Sequence, residues 1–188
     1  MATSAAAAPE SPAASKLQSV GFIGAGMMAS AVMDGLVAKG VVSGPDSISC
    51  SDVSEEALAA ASAKGMRAMK SNQEVCQRHC DVILIAVKPN VVVDVCKDLM
   101  AVKTCTALIV SIAAGVTLRT LEHELLGRRV VRVMPNTACV VGEAASGYAL
   151  GALATDDDRR IVQAVFGSCG LARELPEFLL VSPNVQVE

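Results

Sequence analysis

An α/β fold built on a doubly wound, mainly parallel sheet is the class this sequence predicts, and three observations predict it. Short apolar runs alternate with amphipathic helical spacings from residue 19 onward. One run, Asp81-Val82-Ile83-Leu84-Ile85-Ala86-Val87, is continuously apolar after its first residue, as expected of a strand buried on both faces. The first strand runs through Gly24, Gly26 and Ala29 straight into a helix, a G-x-G-x-x-G/A spacing in its strand–turn–helix context.

Each element follows in order. Ser19–Ile23 reads as the first strand. Ala29, Val32, Met33, Leu36 and Val37 then form one apolar helical face, and Gly40 is placed to close that helix. Ser47–Ser51 is a short second strand. Ser54 suits the N-cap of the next helix, whose opening Glu55 and Glu56 match the positive end of its dipole, and Gly65 ends it. Met66–Met69 is a third strand, and Asn72 can cap a short helix before His79. After the apolar fourth strand, Pro89 stops the extended run and starts a helix to about Met100. Ala107–Ile112 is a fifth strand, Leu118–Leu125 a helix, and Val130–Met134 a sixth strand. A strand at Ala145–Leu150, a helix from Asp156 to Phe166 and a short strand at Leu171–Glu174 complete the pattern.

A chain of 188 residues suffices for one domain with a substantial core. A net charge of -3 and the lack of a basic block exclude nucleic acid and anionic membrane as expected partners. Hydrophobic residues make up 52%, so a membrane span has to be weighed. The longest uncharged stretch, Leu17 to Met33, falls short of a span and contains Gly21, Gly24 and Gly26, so no transmembrane segment is expected. The apolar surplus has two readings: a face for a partner chain or second domain, and an Ala- and Val-rich sheet buried on both sides. Seven cysteines, scattered and without a C-x-x-C pair, imply neither a disulfide framework nor a zinc site, and fit thiols in a reducing compartment. The Ala/Ser/Pro-rich start is expected to be a disordered segment, residues 1–18, without the arginines of a transit peptide or a secretory h-region. The cytoplasm is the expected location, with mitochondria the alternative.

The chemistry centres on the glycine turn. Gly24 permits the tight turn, Gly26 lets the backbone approach a pyrophosphate, and the small Ala29 lets the helix pack close to the sheet. The free amides and dipole at that helix start hold the anion. This points to a Rossmann-like dinucleotide site for NADP(H) or NAD(H); the alternative is a turn that needs glycines for packing alone. At the end of the second strand, Asp52 suits a ribose hydroxyl and so NAD(H), whereas Ser49 and Ser51 suit a 2′-phosphate, and Asp52 can equally cap the next turn. Ala86-Val87-Lys88-Pro89 and Ser111-Ile112-Ala113-Ala114-Gly115 follow the fourth and fifth strands, on the edge where ligands of such sheets bind. Lys88 can steer a phosphate or carboxylate, or be solvated. Asn136, after the sixth strand, either faces the same crevice or makes an Asx-turn. His79 and His123 sit in polar helical surroundings with no paired nucleophile, and Tyr148 reads as strand packing. No catalytic side chain and no metal site is assigned.

Four ordered motifs carry a resemblance: Val20 to Ala29, Ala86-Val87-Lys88-Pro89, Ser111 to Val116, and Met134-Pro135-Asn136-Thr137. Together they resemble pyrroline-5-carboxylate reductase, nearest the short cytoplasmic animal type, over residues 19–177. The resemblance implies NAD(P)H-dependent reduction of 1-pyrroline-5-carboxylate to L-proline, the last step of proline biosynthesis, in a homo-oligomer. It implies that Ile23, Gly24, Ala25, Gly26, Met27 and Met28 hold the pyrophosphate, that Ser51 or Asp52 faces the adenosine ribose, and that Asn72 lies on the adenine side. Ala86, Val87, Lys88 and Pro89, with Ile112, Ala113 and Ala114, would flank the nicotinamide ribose, and Asn136 would reach the substrate. Ala138 stands where the family has proline. The family continues into an all-helical dimerisation domain, which is expected to be absent here. Residues 178–188 are read as a divergent tail and the chain as a truncated isoform. On that reading the polypeptide alone is expected to be inactive, a cofactor-binding module or a partner of full-length subunits.

Overall fold

In the computed structural model, which describes residues 16–181, the apolar runs become strands β1 (Val20–Ile23), β2 (Ile48–Ser51), β3 (Arg67–Ala68), β4 (Val82–Ile85), β5 (Leu108–Ser111), β6 (Val130–Met134), β7 (Ala144–Leu150) and β8 (Gly170–Glu174). Between them lie helices α1 (Met27–Ala38), α2 (Glu55–Ala63), α3 (Asn72–Cys76), α4 (Val92–Ala101), α5 (Leu118–Glu124) and α6 (Asp156–Gly167). The sequence expectations for residues 1–15 and 182–188 lie outside the described residues. No helix among the described residues is long and apolar enough to cross a membrane.

The strands form one sheet in the order β3-β2-β1-β4-β5-β6-β7-β8. β1 to β6 are parallel, and their order reverses between β1 and β4, the switch point at which doubly wound sheets open a crevice. β7 then turns antiparallel to β6, and β8 runs parallel to β7. The α/β, Rossmann-like reading of the sequence is borne out.

Side chains alternate between two cores, which is why the strands read as unbroken apolar runs. Phe22, Val82, Leu84 and Val110 pack with Val32, Met33 and Leu36 of α1 and with Val162 and Phe166 of α6. Ile83, Ile85 and Ile109 point the other way, against Val95 and Leu99 of α4 and Leu121 of α5. Much of the apolar surplus therefore lies in the sheet, although Met27, Val53, Leu126, Val141 and Phe178 remain exposed. Gly21 lets α3 come close to β1, since a Cβ there would lie 2.7 Å from Val75 Cγ1.

Some local expectations need correction. Ser71, not Asn72, caps α3: its Oγ accepts from the Glu74 amide at 3.2 Å, because the helix begins at Asn72 itself. The proline at 89 opens a 3-10 turn, Pro89–Val91, before α4 proper begins. His79 lies just after α3, exposed and with a left-handed φ of 53°, rather than in helical surroundings. Thr137–Val141 and Glu177–Val181 form further 3-10 turns that the sequence pattern does not reveal.

The last of these turns is anchored by a buried cation. Arg132, 3% exposed on β6, donates from Nη1 to Glu177 Oε1 at 2.9 Å and from Nη2 to the Leu180 carbonyl at 3.0 Å. Glu177 Oε1 also accepts from the Leu118 amide at 2.6 Å, tying the turn to the start of α5. The guanidinium is buried and Glu177 half-buried, so removing Arg132 takes a charge-assisted hydrogen bond from Glu177 and leaves the Leu180 carbonyl without its donor. Arg132→Ala is therefore expected to lower the unfolding free energy by about 3 kcal/mol in urea titrations. A loss below about 1 kcal/mol, the range of an exposed ion pair, would contradict the role given to this pair.

Candidate functional site

The site is built from strand ends. β1 stops at Ile23 and the chain turns at Gly24, whose φ of 99° suits glycine. The Gly24 amide donates to the Ser51 carbonyl of β2 at 2.7 Å. On its other side, a Cβ at Gly24 would fall 2.5 Å from the Ala86 carbonyl oxygen that follows β4. The turn is thus held between β2 and β4 at the switch point.

Beyond the turn, the first amides of α1 have no hydrogen-bond partner among the described residues. Gly26 is its N-cap and makes no side-chain hydrogen bond, and no acidic residue stands in the first turn. The helices α2, α3, α5 and α6 are capped by the hydroxyls of Ser54, Ser71, Thr117 and Thr155. The remaining one, α4, lacks a side-chain cap but has Asp94 in its first turn. Among the described α-helices only α1 lacks both features, and its N-terminus is the arrangement that favours an anion. Nothing lies within 4 Å of where a Gly26 Cβ would stand, so the space in front of these amides is open.

A cleft of about 690 Å³ lies at these strand ends, within the size range of small-molecule and cofactor sites. Ile23, Gly24, Gly26, Ser51, Asp52, Asn72, Ala86, Val87 and Lys88 line it, as do residues not singled out in the sequence: Val53, Lys70, Ser71, Gln73 and, from the α4 side, Asn90, Val91, Asp94, Val95 and Asp98. Met27 and Met28 open α1, Ala25 lies in the glycine turn and Pro89 starts the 3-10 turn after β4, and none of the four lines the cleft. Ile112, Ala113 and Ala114 follow β5 and do not line it; there Ser111 Oγ accepts from the Ala113 amide at 3.3 Å and shapes that turn. Asn136 is exposed at the start of the Thr137–Val141 turn, caps nothing with its side chain and does not line the cleft.

Two polar sets organise the β2–β3 side. Asp52 Oδ2 accepts from the Ala25 amide at 2.6 Å, and its Oδ1 accepts from the Ser54 amide at 2.8 Å, so the carboxylate bridges the glycine turn and the start of α2. Deeper, Ser51 Oγ donates to Asn72 Oδ1 at 2.7 Å, and Asn72 Nδ2 donates to Asp98 Oδ2 at 2.8 Å. Gln73 Nε2 donates to the other Asp98 oxygen at 2.7 Å. Asp98 thereby fixes the orientation of the Asn72 amide across the floor of the cleft. Burial, and next the Asp52 charge, push the Cys50 thiol above its ordinary value, so β2 presents a neutral thiol behind the site. Tyr148 is fully buried, with its hydroxyl 3.1 Å from Gln163 Nε2, and belongs to the core.

The cleft, the switch point and the uncapped helix agree with comparison to known proteins. A family model described as NADP oxidoreductase coenzyme F420-dependent matches residues 19–115. The chain belongs to this family. It is 46% identical over 165 residues to the pyrroline-5-carboxylate reductase of Methanosarcina acetivorans, an alignment covering 87% of this chain and 60% of that protein. The structure of a pyrroline-5-carboxylate reductase from Coxiella burnetii superimposes with a TM-score of 0.81 at 28% identity, covering 87% of this chain and 61% of that one. The crystal structure of Plasmodium falciparum pyrroline carboxylate reductase with NADP bound gives a TM-score of 0.74 at 30% identity, covering 85% of this chain and 58% of the other. The likeness carried by the four sequence motifs is therefore borne out, as a likeness to the N-terminal part of these reductases. The chain spans about 60% of the length of the curated relatives it matches.

The two turn glycines make separable predictions. Gly24→Ala forces a side chain into the left-handed region and against the Ala86 carbonyl, and is expected to lose on the order of 2 kcal/mol of stability. Gly26→Ala, at extended backbone with open space around it, is expected to lose less than about 1 kcal/mol. Equal losses in chemical denaturation would contradict the clasp described for Gly24.

Proposed function

We propose that this chain binds NAD(P)H in the cleft at the ends of β1, β2 and β4 and carries the cofactor half of a pyrroline-5-carboxylate reductase. The observation that supports this most is the start of α1, uncapped, without an acid and facing open space. The residues present fit the group: the amides of Met27, Met28 and Ala29 would take the pyrophosphate oxygens, and Gly26 leaves them room. The β2–β3 side, with Asp52, Asn72 and Lys70, would take the adenosine. Ala86 to Lys88 would wall the nicotinamide side, where the exposed Lys88 suits a phosphate or a substrate carboxylate.

When bound, the reduced nicotinamide supplies a hydride to the C=N carbon of the pyrroline ring, which with one proton at the ring nitrogen gives L-proline. The part of this chain is to fix the dinucleotide at the strand ends, so that one nicotinamide face stays presented to the substrate. We assign the dinucleotide-binding unit to residues 19–177, and residues 1–18 and 178–188 to flanking segments. Asn136, exposed after β6 and outside the cleft lining, remains a proposed substrate contact. The setting we propose is the cytoplasm and proline biosynthesis, in a homo-oligomer.

One observation favours a second reading, a nucleotide-binding module that associates with longer subunits and turns nothing over. Among the described residues the cleft lining holds no histidine, tyrosine or cysteine to pass a proton to a substrate, and Asp98 is already bonded to Asn72 and Gln73. Both readings require nucleotide binding, and turnover separates them. In a fluorescence titration of the purified chain, NADH or NADPH is expected to bind saturably. Gly26→Val is expected to remove that binding while the circular dichroism melt stays within a few degrees of the parent. A folded protein that binds neither nucleotide would overturn the assignment. With binding established, loss of nicotinamide absorbance on adding 1-pyrroline-5-carboxylate identifies the reductase, and no loss identifies the module.

A further inference from the structure

Both ends of the Asn72 amide are bonded within the protein, and one of the two bonds decides which end is which. Ser51 Oγ donates to the amide oxygen at 2.7 Å, and the amide nitrogen donates to Asp98 Oδ2 at 2.8 Å. A hydroxyl can give or take a hydrogen bond, so Ser51 by itself would tolerate either end of the amide. A carboxylate only accepts, so Asp98 admits the nitrogen and excludes the oxygen. Asp98 is itself pinned, because Gln73 Nε2 donates to its other oxygen at 2.7 Å.

With these bonds made, Asn72 keeps a second N–H and a second oxygen lone pair that have no partner among the described residues. The side chain lines the cleft, at the start of α3 and beside the end of β2. In a doubly wound sheet with the pyrophosphate at the first glycine turn, the adenosine lies on that side. The contribution of Asp98 is not one of charge. Its neighbour Lys97 pairs with Asp94, and among the described residues no cation is bonded to Asp98. A negative charge in this cleft repels the phosphates of a nucleotide, so what Asp98 adds to binding comes through its bond to Asn72.

The geometry points to Asp98 as a positioning residue: from α4 it locks the Asn72 amide in the one orientation that offers its spare N–H and lone pair to the adenosine half of the dinucleotide. This role rests on the cleft being a nicotinamide dinucleotide site, as proposed above. It adds to that site a residue that acts through another side chain.

The test is a double-mutant cycle on the full chain. The probes are NADH or NADPH, whichever the parent binds more tightly, followed by nicotinamide fluorescence, and ADP-ribose, followed by its displacement of that cofactor. Asp98→Ala is expected to weaken both probes by the same factor, about five- to tenfold, the worth of a hydrogen bond that a turned amide no longer makes. In an Asn72→Ala background the same change is expected to shift either dissociation constant by less than about twofold, because the group it positions is gone. Asp98→Asn, which keeps an acceptor for Asn72 and removes the charge, is expected to bind more tightly than Asp98→Ala. Circular dichroism melts identify a variant that fails to fold, and Asp98→Leu, nearer in volume, then takes the place of alanine in the cycle. Equal losses with and without Asn72 would mean direct contact or a general structural role, and would overturn the proposal. So would tighter binding by both the Ala and the Asn variant, since Asp98 would then act by charge alone. Either result leaves the dinucleotide reading intact, whereas a folded parent that binds none of these probes overturns both.

Discussion

The close approach of the Gly24 turn to the strands on either side is the constraint on which the rest of this structure depends. Its amide bonds the end of β2, and its missing side chain admits the carbonyl that follows β4. Three strand ends are thereby brought to one point, and that point is where the strand order reverses. A crevice at a switch point follows from topology alone. What makes this one suited to an anion is that, among the described residues, α1 leaves the turn with its first amides unpaired, while four of the five other α-helices are capped by a hydroxyl. The same turn also offers the Ala25 amide to Asp52, so the backbone geometry that opens an anion site fixes an acid at its edge.

Rigidity of this arrangement comes from the layers behind it. With both faces of β1, β4 and β5 packed against helices, the strand ends have little freedom to shift, and the loops that follow inherit fixed starting points. Polar bonds then tie the loops together: Asp52 joins the β1 and β2 loops, and Asn72 with Asp98 joins the β3 corner to α4. A site assembled in this way is largely preformed, and ordering it on binding costs little.

Much of this was legible in the sequence, for local reasons. The run Val82–Ile85 could only be a strand buried on both faces, and the glycine spacing stood in its required context between strand and helix. Ser54 was readable as a cap because Glu55 and Glu56 follow it directly. What escaped depends on contacts between distant residues. The antiparallel entry of β7 is decided by pairing with β6, not by anything within Ala144–Leu150. Ser71 and Asn72 are both residue types that cap helices, and the sequence does not show that the helix begins at Asn72, which leaves Ser71 the cap and frees Asn72 to bond Ser51 and Asp98. Lys70, Gln73 and Asp98 reach the cleft because β3 and α4 flank the same edge; the rule that ligands bind beyond strand carboxyl ends, applied to β3, points to the first two.

The central claim is that the open start of α1 is an anion site for a dinucleotide, and backbone amide chemical shifts tested residue by residue address it most directly. In a titration of the isotope-labelled chain with NADH, the largest shift changes are expected at Gly26, Met27, Met28 and Ala29, with a second group at Asp52 and Lys70 to Gln73. Saturating changes confined to other surfaces, with the α1 amides unmoved, would contradict the account.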